Sequence, residues 1–320
     1  VIFAVTNRIP DSAVEMLRRA GEVRLDERET AIPRHGLLEL VAGAEAVLTL
    51  LHDRVDAELL EAAGPQLRCV ANVAVGYDNV DLEVAAERGV VVTNTPEVLD
   101  DATADLTWAL LLAATRRLGE GERLVRSAGT WSWGMSFMLG SSLRGKRLGI
   151  VGLGGIGRRV AERGRAFGMR IAYHSRHEAP AETVAALEAE RMPLEQLLAE
   201  ADVLSLHCPL TPETHHLIGA PELEAMKESA VLINAARGPI VDERALVEAL
   251  AMGRIAAAGL DVYEHEPRVE PGLLELDNVV LTPHLGSATV EARTAMAELA
   301  ARNAISVLSG QGPLTPVASQ

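Results

Sequence analysis

The chain has 320 residues, enough for about two domains, and its 48% hydrophobic and 23% charged residues exclude wholesale disorder. A net charge of −15 with no Lys/Arg block argues against a nucleic-acid or anionic-membrane partner, because binding phosphates takes a basic stripe. The longest apolar run, residues 106–114, falls far short of the ~20 residues of a membrane span.

The N-terminal Val1-Ile2-Phe3-Ala4-Val5 reads as a strand and lacks the basic start and cleavage site of a secretory leader. Strands are expected at residues 1–6, 46–49, 67–71 and 90–93, alternating with helices at 12–20, 57–63 and 82–87. Such βα units imply a parallel sheet covered by helices on both faces. Asp100-Asp101 then opens a long helix, expected to run through Leu118 and as far as Val125, before Ser127-Ala128-Gly129 stops it. After a loop at residues 131–140 a second βα series begins, with strands at 147–151, 170–174, 203–207, 230–234, 256–260 and 279–282. A final helix spans 289–308. Aromatic residues are only 3%, so Ala, Leu and Val must build the core. Cys69 and Cys208 are far apart, without metal-ligand spacing, and fit a reduced, cytoplasmic chain with no metal site. The neighbouring His215 and His216 are expected to be exposed, and adjacent histidines on a helix do not face one ion.

The strand at 147–151 leads into Gly152-Leu153-Gly154-Gly155-Ile156-Gly157 and then a helix. That strand–turn–helix context gives a glycine-rich turn its meaning as a dinucleotide site. Gly152 permits the tight turn, Gly154 lets a pyrophosphate approach the backbone, and Gly157 allows close helix–strand packing. The helix N-terminus supplies N–H groups and partial positive charge to the phosphates. About 20 residues on, where an NAD-selective site places a carboxylate on the ribose 2′-hydroxyl, this chain has Ser175-Arg176-His177. A guanidinium suits a 2′-phosphate, so NADPH is expected to be preferred, with NADH possible.

Three further segments complete the pattern: Asn234-Ala235-Ala236-Arg237-Gly238, Gly259-Leu260-Asp261-Val262-Tyr263-Glu264-His265-Glu266-Pro267, and Thr282-Pro283-His284-Leu285-Gly286-Ser287-Ala288-Thr289. With the glycine turn, they resemble the D-isomer-specific 2-hydroxyacid dehydrogenases over nearly the whole chain. Ala71-Asn72-Val73-Ala74-Val75-Gly76-Tyr77-Asp78-Asn79-Val80-Asp81 and Ser175-Arg176 are most similar to the glyoxylate/hydroxypyruvate reductases of that family.

The chemistry assigns roles of its own. A 2-oxo acid needs its oxygens held, its carbonyl polarised and a proton delivered. Arg237 offers bidentate, charge-assisted binding. His284 is the natural acid near neutral pH, and Glu266 would orient it. Singly, each would read as a loop salt bridge or a solvated loop residue; three at strand C-termini of one doubly wound domain read as a site. The resemblance implies the same Arg–Glu–His assignment. It also implies cofactor contacts from Thr103, from Cys208 and Pro209 under the adenosine, from Ala235, Ala236 and Gly286, and from Asp261 to the nicotinamide amide. Val75 and Gly76 would bind the substrate carboxylate, with Leu51 lining the pocket. Gly155 stands where glyoxylate reductases usually carry Arg, and the loop Gly129-Thr130-Trp131-Ser132-Trp133-Gly134 looks shorter than the family's tryptophan loop.

The expected architecture is therefore α/β, with two doubly wound parallel-sheet domains. A Rossmann cofactor domain at 99–287 is inserted into a flavodoxin-like substrate domain at 1–98 and 288–320, with the active site in the cleft between them. The expected reaction is reduction of glyoxylate or hydroxypyruvate by a homodimer joined through its cofactor domains. Phosphoglycerate dehydrogenase, phosphonate dehydrogenase and a dinucleotide-sensing corepressor are the alternatives within the resemblance.

Overall fold

The computed structural model describes residues 1–317; residues 318–320, the end of the segment expected in the substrate domain, lie outside the described residues. Two compact units divide the chain, Val1–Leu99 with Ser287–Gln320, and Asp100–Gly286.

In the first unit, strands β1 (Ile2–Val5), β2 (Glu22–Leu25), β3 (Ala46–Thr49), β4 (Cys69–Asn72) and β5 (Val91–Thr93) form one parallel sheet. Its order is β2-β1-β3-β4-β5, the doubly wound order of flavodoxin-like folds. β3 and β4 are buried along their whole length, as continuous apolar runs such as Ala46-Val47-Leu48 require. The helix Val290–Leu308, N-capped by the Thr289 hydroxyl, packs on β3, β4 and the helix Asp11–Ala20. Arg68, just before β4, donates from both guanidinium nitrogens to the last carbonyls of that helix, Val307 and Leu308, at 2.9 Å each. The chain then returns to the sheet edge, where Val317 N–H donates to the Val92 carbonyl.

The second unit carries β6 (Arg147–Val151), β7 (Arg170–His174), β8 (Glu190–Arg191), β9 (Val203–Leu206), β10 (Val231–Asn234), β11 (Ala257–Leu260) and β12 (Val279–Leu281). All pairings are parallel, in the order β12-β11-β10-β9-β6-β7-β8. This is the Rossmann order with a seventh strand added, and its direction reverses between β6 and β9. The helix Asp100–Thr115 is buried on several sides and stacks Trp108 on Phe167, with ring centroids 4.5 Å apart.

That helix is shorter than the sequence pattern predicts. Arg117 takes left-handed backbone angles, φ 55°, and a separate helix, Leu118–Arg126, starts there with none of its residues buried. Apolar periodicity continues across the break because Leu118 and Val125 belong to the second helix, where both are exposed. Trp131, Trp133, Met135 and Leu139 follow, also exposed. Among the described residues no helix is long and apolar enough to cross a membrane.

Candidate active site

Because β6, β9, β10, β11 and β12 run parallel, the segments that follow them all emerge at one edge of the sheet. Ligands bind there, beside the point where strand order reverses. Gly152 ends β6 with φ +94°, and a Cβ on it would stand 2.7 Å from the Cys208 nitrogen and from the His207 carbonyl carbon. Only glycine lets the turn lie that close to the end of β9. Gly157 presses directly on the Gly152 carbonyl, whereas open space lies beside Gly154, which caps the helix Gly155–Ala166. Gly154 and Gly155 are exposed and Ile156 half-buried. The uncovered helix start and the space beside it fit the backbone donors that a pyrophosphate needs. A side chain at Gly155 would meet the Asp100 carboxylate, which lies over this first turn.

Ser175, at the end of β7, accepts the Leu153 N–H through its hydroxyl at 2.9 Å, which ties it to the glycine turn. Arg176 is exposed, and its charge helps to hold the nearby Glu213 carboxyl below its ordinary value, behind bonds to Thr211 and to backbone. Arg191 of β8 donates to the carbonyls of Ser175 and Arg176, at 3.2 and 3.4 Å. Sequence reasoning missed Arg191, since a two-residue strand gives no periodic signal. Cys208 is half-buried and its thiol is pushed up to about 11 by burial; Pro209 beside it is exposed. Next to them, burial pushes His207 down to about 3, so it is a neutral imidazole paired with the Ser205 hydroxyl at 2.8 Å.

The residues expected to react lie on the segments that follow β10, β11 and β12. Asn234, buried at the end of β10, bonds both the Ala236 N–H (3.1 Å) and the Arg237 carbonyl (2.8 Å), which fixes the turn presenting Arg237. Ala235 is buried, and Arg237 is half-buried with Nη1 donating to the Ala236 carbonyl. Gly238 lies so tightly against the Tyr263–Glu264 peptide that no Cβ fits between them.

Glu266 Oε2 accepts the Nδ1–H of His284 at 2.8 Å, while Oε1 accepts the Tyr263 N–H at 3.0 Å. Burial pushes the Glu266 carboxyl up, but the bond and charge of His284, the Tyr263 N–H and the charge of Arg237 together hold it below its ordinary value. The pair leaves the other ring nitrogen, Nε2, as the one that can meet a substrate.

Asp261, fully buried after β11, accepts from the Thr282 hydroxyl (2.6 Å), Leu285 N–H (2.7 Å) and Gly286 N–H (2.7 Å). Burial raises its carboxyl, and these bonds offset part of the rise. It therefore anchors the turn on which His284, at φ 54°, sits. Thr103 is buried against Gly286, where a Cβ would meet its side chain at 3.3 Å.

In the other unit, the loops after β3 and β4 are bound together by amides. Asn72 bonds the Thr49 hydroxyl, the Gly76 carbonyl and Asn79, and Asn79 donates to the carbonyls of Leu50 and Asp53. The Ala74 carbonyl accepts from Thr95 N–H and the Val75 carbonyl from Asn94. In a trans peptide the N–H points opposite the carbonyl. The N–H groups of Val75 and Gly76 thus face away from Thr95 and Asn94. Leu51 is 40% exposed on the neighbouring loop. The supporting Asn72 and Asn79 were missed as functional residues, although both stand in the segment that carried the resemblance.

Comparison with known proteins accords with these arrangements. Residues 108–286 match the family model of the D-isomer specific 2-hydroxyacid dehydrogenase NAD binding domain. A glyoxylate reductase of Thermococcus onnurineus is 50% identical over 318 residues, spanning 98% of this chain and 94% of that one. A solved structure from Thermus thermophilus superposes with a TM-score of 0.92 at 46% identity, covering 99% of this chain and 100% of the other. An NADPH-dependent glyoxylate/hydroxypyruvate reductase of Sinorhizobium meliloti, solved with NADP and malonate, gives 0.85 at 37% identity, covering 99% and 96%. The chain belongs to the D-isomer-specific 2-hydroxyacid dehydrogenases and is a nicotinamide-dinucleotide-dependent oxidoreductase.

Proposed function

We propose that this enzyme reduces glyoxylate or hydroxypyruvate to the 2-hydroxy acid, with NADPH preferred over NADH, His284 as proton donor, Glu266 as its orienting partner and Arg237 as the anchor for substrate oxygens. The observation that carries this reading is the 2.8 Å bond between His284 and Glu266 at the sheet edge where Arg237 also emerges. The names of the relatives support the substrate class. Nicotinamide, when bound, supplies the hydride.

The chain's own groups do the rest. Glu266 holds the imidazole ring by Nδ1, so that Nε2 is left to carry the proton to the nascent alkoxide. Arg237 binds carbonyl or carboxylate oxygen with its planar fork and polarises it. Asp261 keeps the His284 turn in place and is assigned to the nicotinamide amide. Gly152, Gly154, Gly155, Ile156 and Gly157 take the pyrophosphate. Thr103, Cys208, Pro209, Ala235, Ala236 and Gly286 line the remaining cofactor contacts. Ser175 and Arg176 face the adenosine ribose, and Arg191 adds a second cation at that turn, which supports the preference for a 2′-phosphate.

Residues 99–287 are thus assigned to dinucleotide binding and residues 1–98 with 288–320 to substrate binding, where Val75 and Gly76 offer N–H groups to a carboxylate and Leu51 lines the loop. A homodimer through the dinucleotide-binding unit is supported by the exposed Leu118, Val125, Trp131, Trp133, Met135 and Leu139. Replacing His284 with Ala tests the reading: kcat should fall by ~10²–10⁴ while NADPH affinity stays as in the wild type. Unchanged kcat would remove His284 from the reaction.

A further inference from the structure

We infer that His215, His216 and Glu264 form a binding site for a divalent transition-metal cation of the zinc class, separate from the groups assigned to the reaction. Their ligand atoms all lie within 4.8 Å of one another, the one such group of three among the described residues. A tetrahedral zinc ion places its nitrogen and oxygen ligands ~2.0–2.2 Å from the metal. Its ligand atoms then lie roughly 3.4 Å apart, which small side-chain rotations reach from this spacing.

Adjacent histidines cannot share an ion on a helix, which is why this pair was expected to hold none. Here they occupy a turn, and His216 has φ 50° in the left-handed region. That backbone angle swings its ring to the side of its neighbour, with centroids 4.1 Å apart. The turn is stiff: the Thr214 hydroxyl bonds the Thr211 N–H and the Pro209 carbonyl, and His216 N–H donates to the Pro239 carbonyl.

The third ligand is oriented in advance. Glu264 Oε2 accepts the Glu243 N–H at 3.3 Å, while the buried Glu243 carboxylate accepts the Glu264 N–H at 2.8 Å. This reciprocal clasp turns Glu264 Oε1 toward His216 Nε2, 2.6 Å away. Hydrogen-bonded carboxylates of this kind are how metal sites fix their ligands. Two imidazoles and one carboxylate match zinc, nickel or copper and not the all-oxygen shells of magnesium or calcium. His215 is exposed, so the fourth position opens to water. The site stands independently of the assignments made for Arg237, Glu266 and His284.

The test is calorimetric titration of tag-free, full-length protein with zinc chloride, beside equilibrium dialysis. One equivalent should bind with a micromolar dissociation constant, and magnesium should not compete. H215A, which removes an exposed side chain and leaves the fold and basal turnover intact, should weaken zinc by ~10-fold or more. H216A should do the same, and His35→Ala, in the other unit, should leave affinity unchanged. No zinc retained by the wild type at tens of micromolar overturns the proposal. So does wild-type affinity in H215A and H216A, because the ion would then sit elsewhere.

Discussion

Replacing Gly238 with Ala probes the contact that joins the Arg237 turn to the loop carrying Glu266. The added methyl would fall on the Tyr263 carbonyl and the Glu264 nitrogen, which are backbone atoms and cannot rotate aside. Ordinary carbon contacts need ~3.5 Å, so the two segments must part by roughly 1 Å or more. Parting strains the Tyr263 N–H bond to Glu266, the Tyr263 hydroxyl bond to Thr282 and the Glu264 N–H bond to Glu243, at 3.0, 2.9 and 2.8 Å. Overpacking of this kind costs about 1–3 kcal/mol, which in a unit of this size lowers Tm by ~2–10 °C. A displacement near 1 Å between groups that act on one substrate costs ~10² in rate. Glyoxylate reduction followed by nicotinamide absorbance should therefore show kcat/KM reduced about a hundredfold, and calorimetry a folded protein with lowered Tm. If Tm falls but kcat/KM stays within a factor of about two, the contact is packing alone, and Arg237 and Glu266 do not need their relative placement.

Arg176→Ala should weaken NADPH by ~10-fold while barely changing NADH, with raised salt narrowing the wild-type preference; equal losses for both cofactors in a fluorescence titration would place the guanidinium away from the 2′-phosphate. Arg68→Met should destabilise the protein by about 1–2 kcal/mol in urea unfolding, through loss of the two bonds that close the helix Val290–Leu308; an unchanged midpoint would show that water replaces them at no cost. Asp202 is pushed up by burial, yet the Arg147 N–H and the Lys227 ammonium outweigh this and hold its carboxyl below its ordinary value. A carboxyl lowered in the folded state contributes stability above its unfolded pKa of ~3.9, and loses it as pH falls through the folded value. Asp202→Asn should thus be less stable than wild type by about 1–2 kcal/mol at pH 7, with the gap closing below pH ~4; a gap independent of pH would contradict the linkage.

Where strands are buried on both sides, as with Ala46–Thr49 and Val231–Asn234, the apolar runs between Gly, Asp and Asn made them legible almost to the residue. β2 and the helix Arg34–Val41 were not read. Glu22-Val23-Arg24-Leu25 is a mostly half-buried edge strand, and the helix contains Gly36 and buries only Leu37 and Val41. The break at Arg117 was invisible because a left-handed arginine has no signature in composition. In the candidate site the charged groups could be read from motif and chemistry. The groups that hold them could not, since Asn234, Gly238 and Asn72, and Asp261 in its hold on the Leu285 and Gly286 N–H groups, act through turns that only the folded sheet brings together. The approach of the His215 and His216 rings was likewise invisible, because it depends on the left-handed φ of His216.

The first unit is built from two stretches separated by the second, and this fixes the order in which the two units can be completed. Asp100–Gly286 is continuous and can close its own sheet and core as it leaves the ribosome. The first five strands, although made earlier, lack the helix Val290–Leu308 until the whole of the second unit has been made. Arg68 waits 240 residues for the Leu308 carbonyl it caps. During that interval the faces of β3 and β4 that this helix will cover are bare, and they are the apolar, pairing-competent surface most open to association with other nascent chains. The unit begun first is thus completed after the one begun second, so its yield should depend more on chaperone supply and elongation rate than that of the unit made after it.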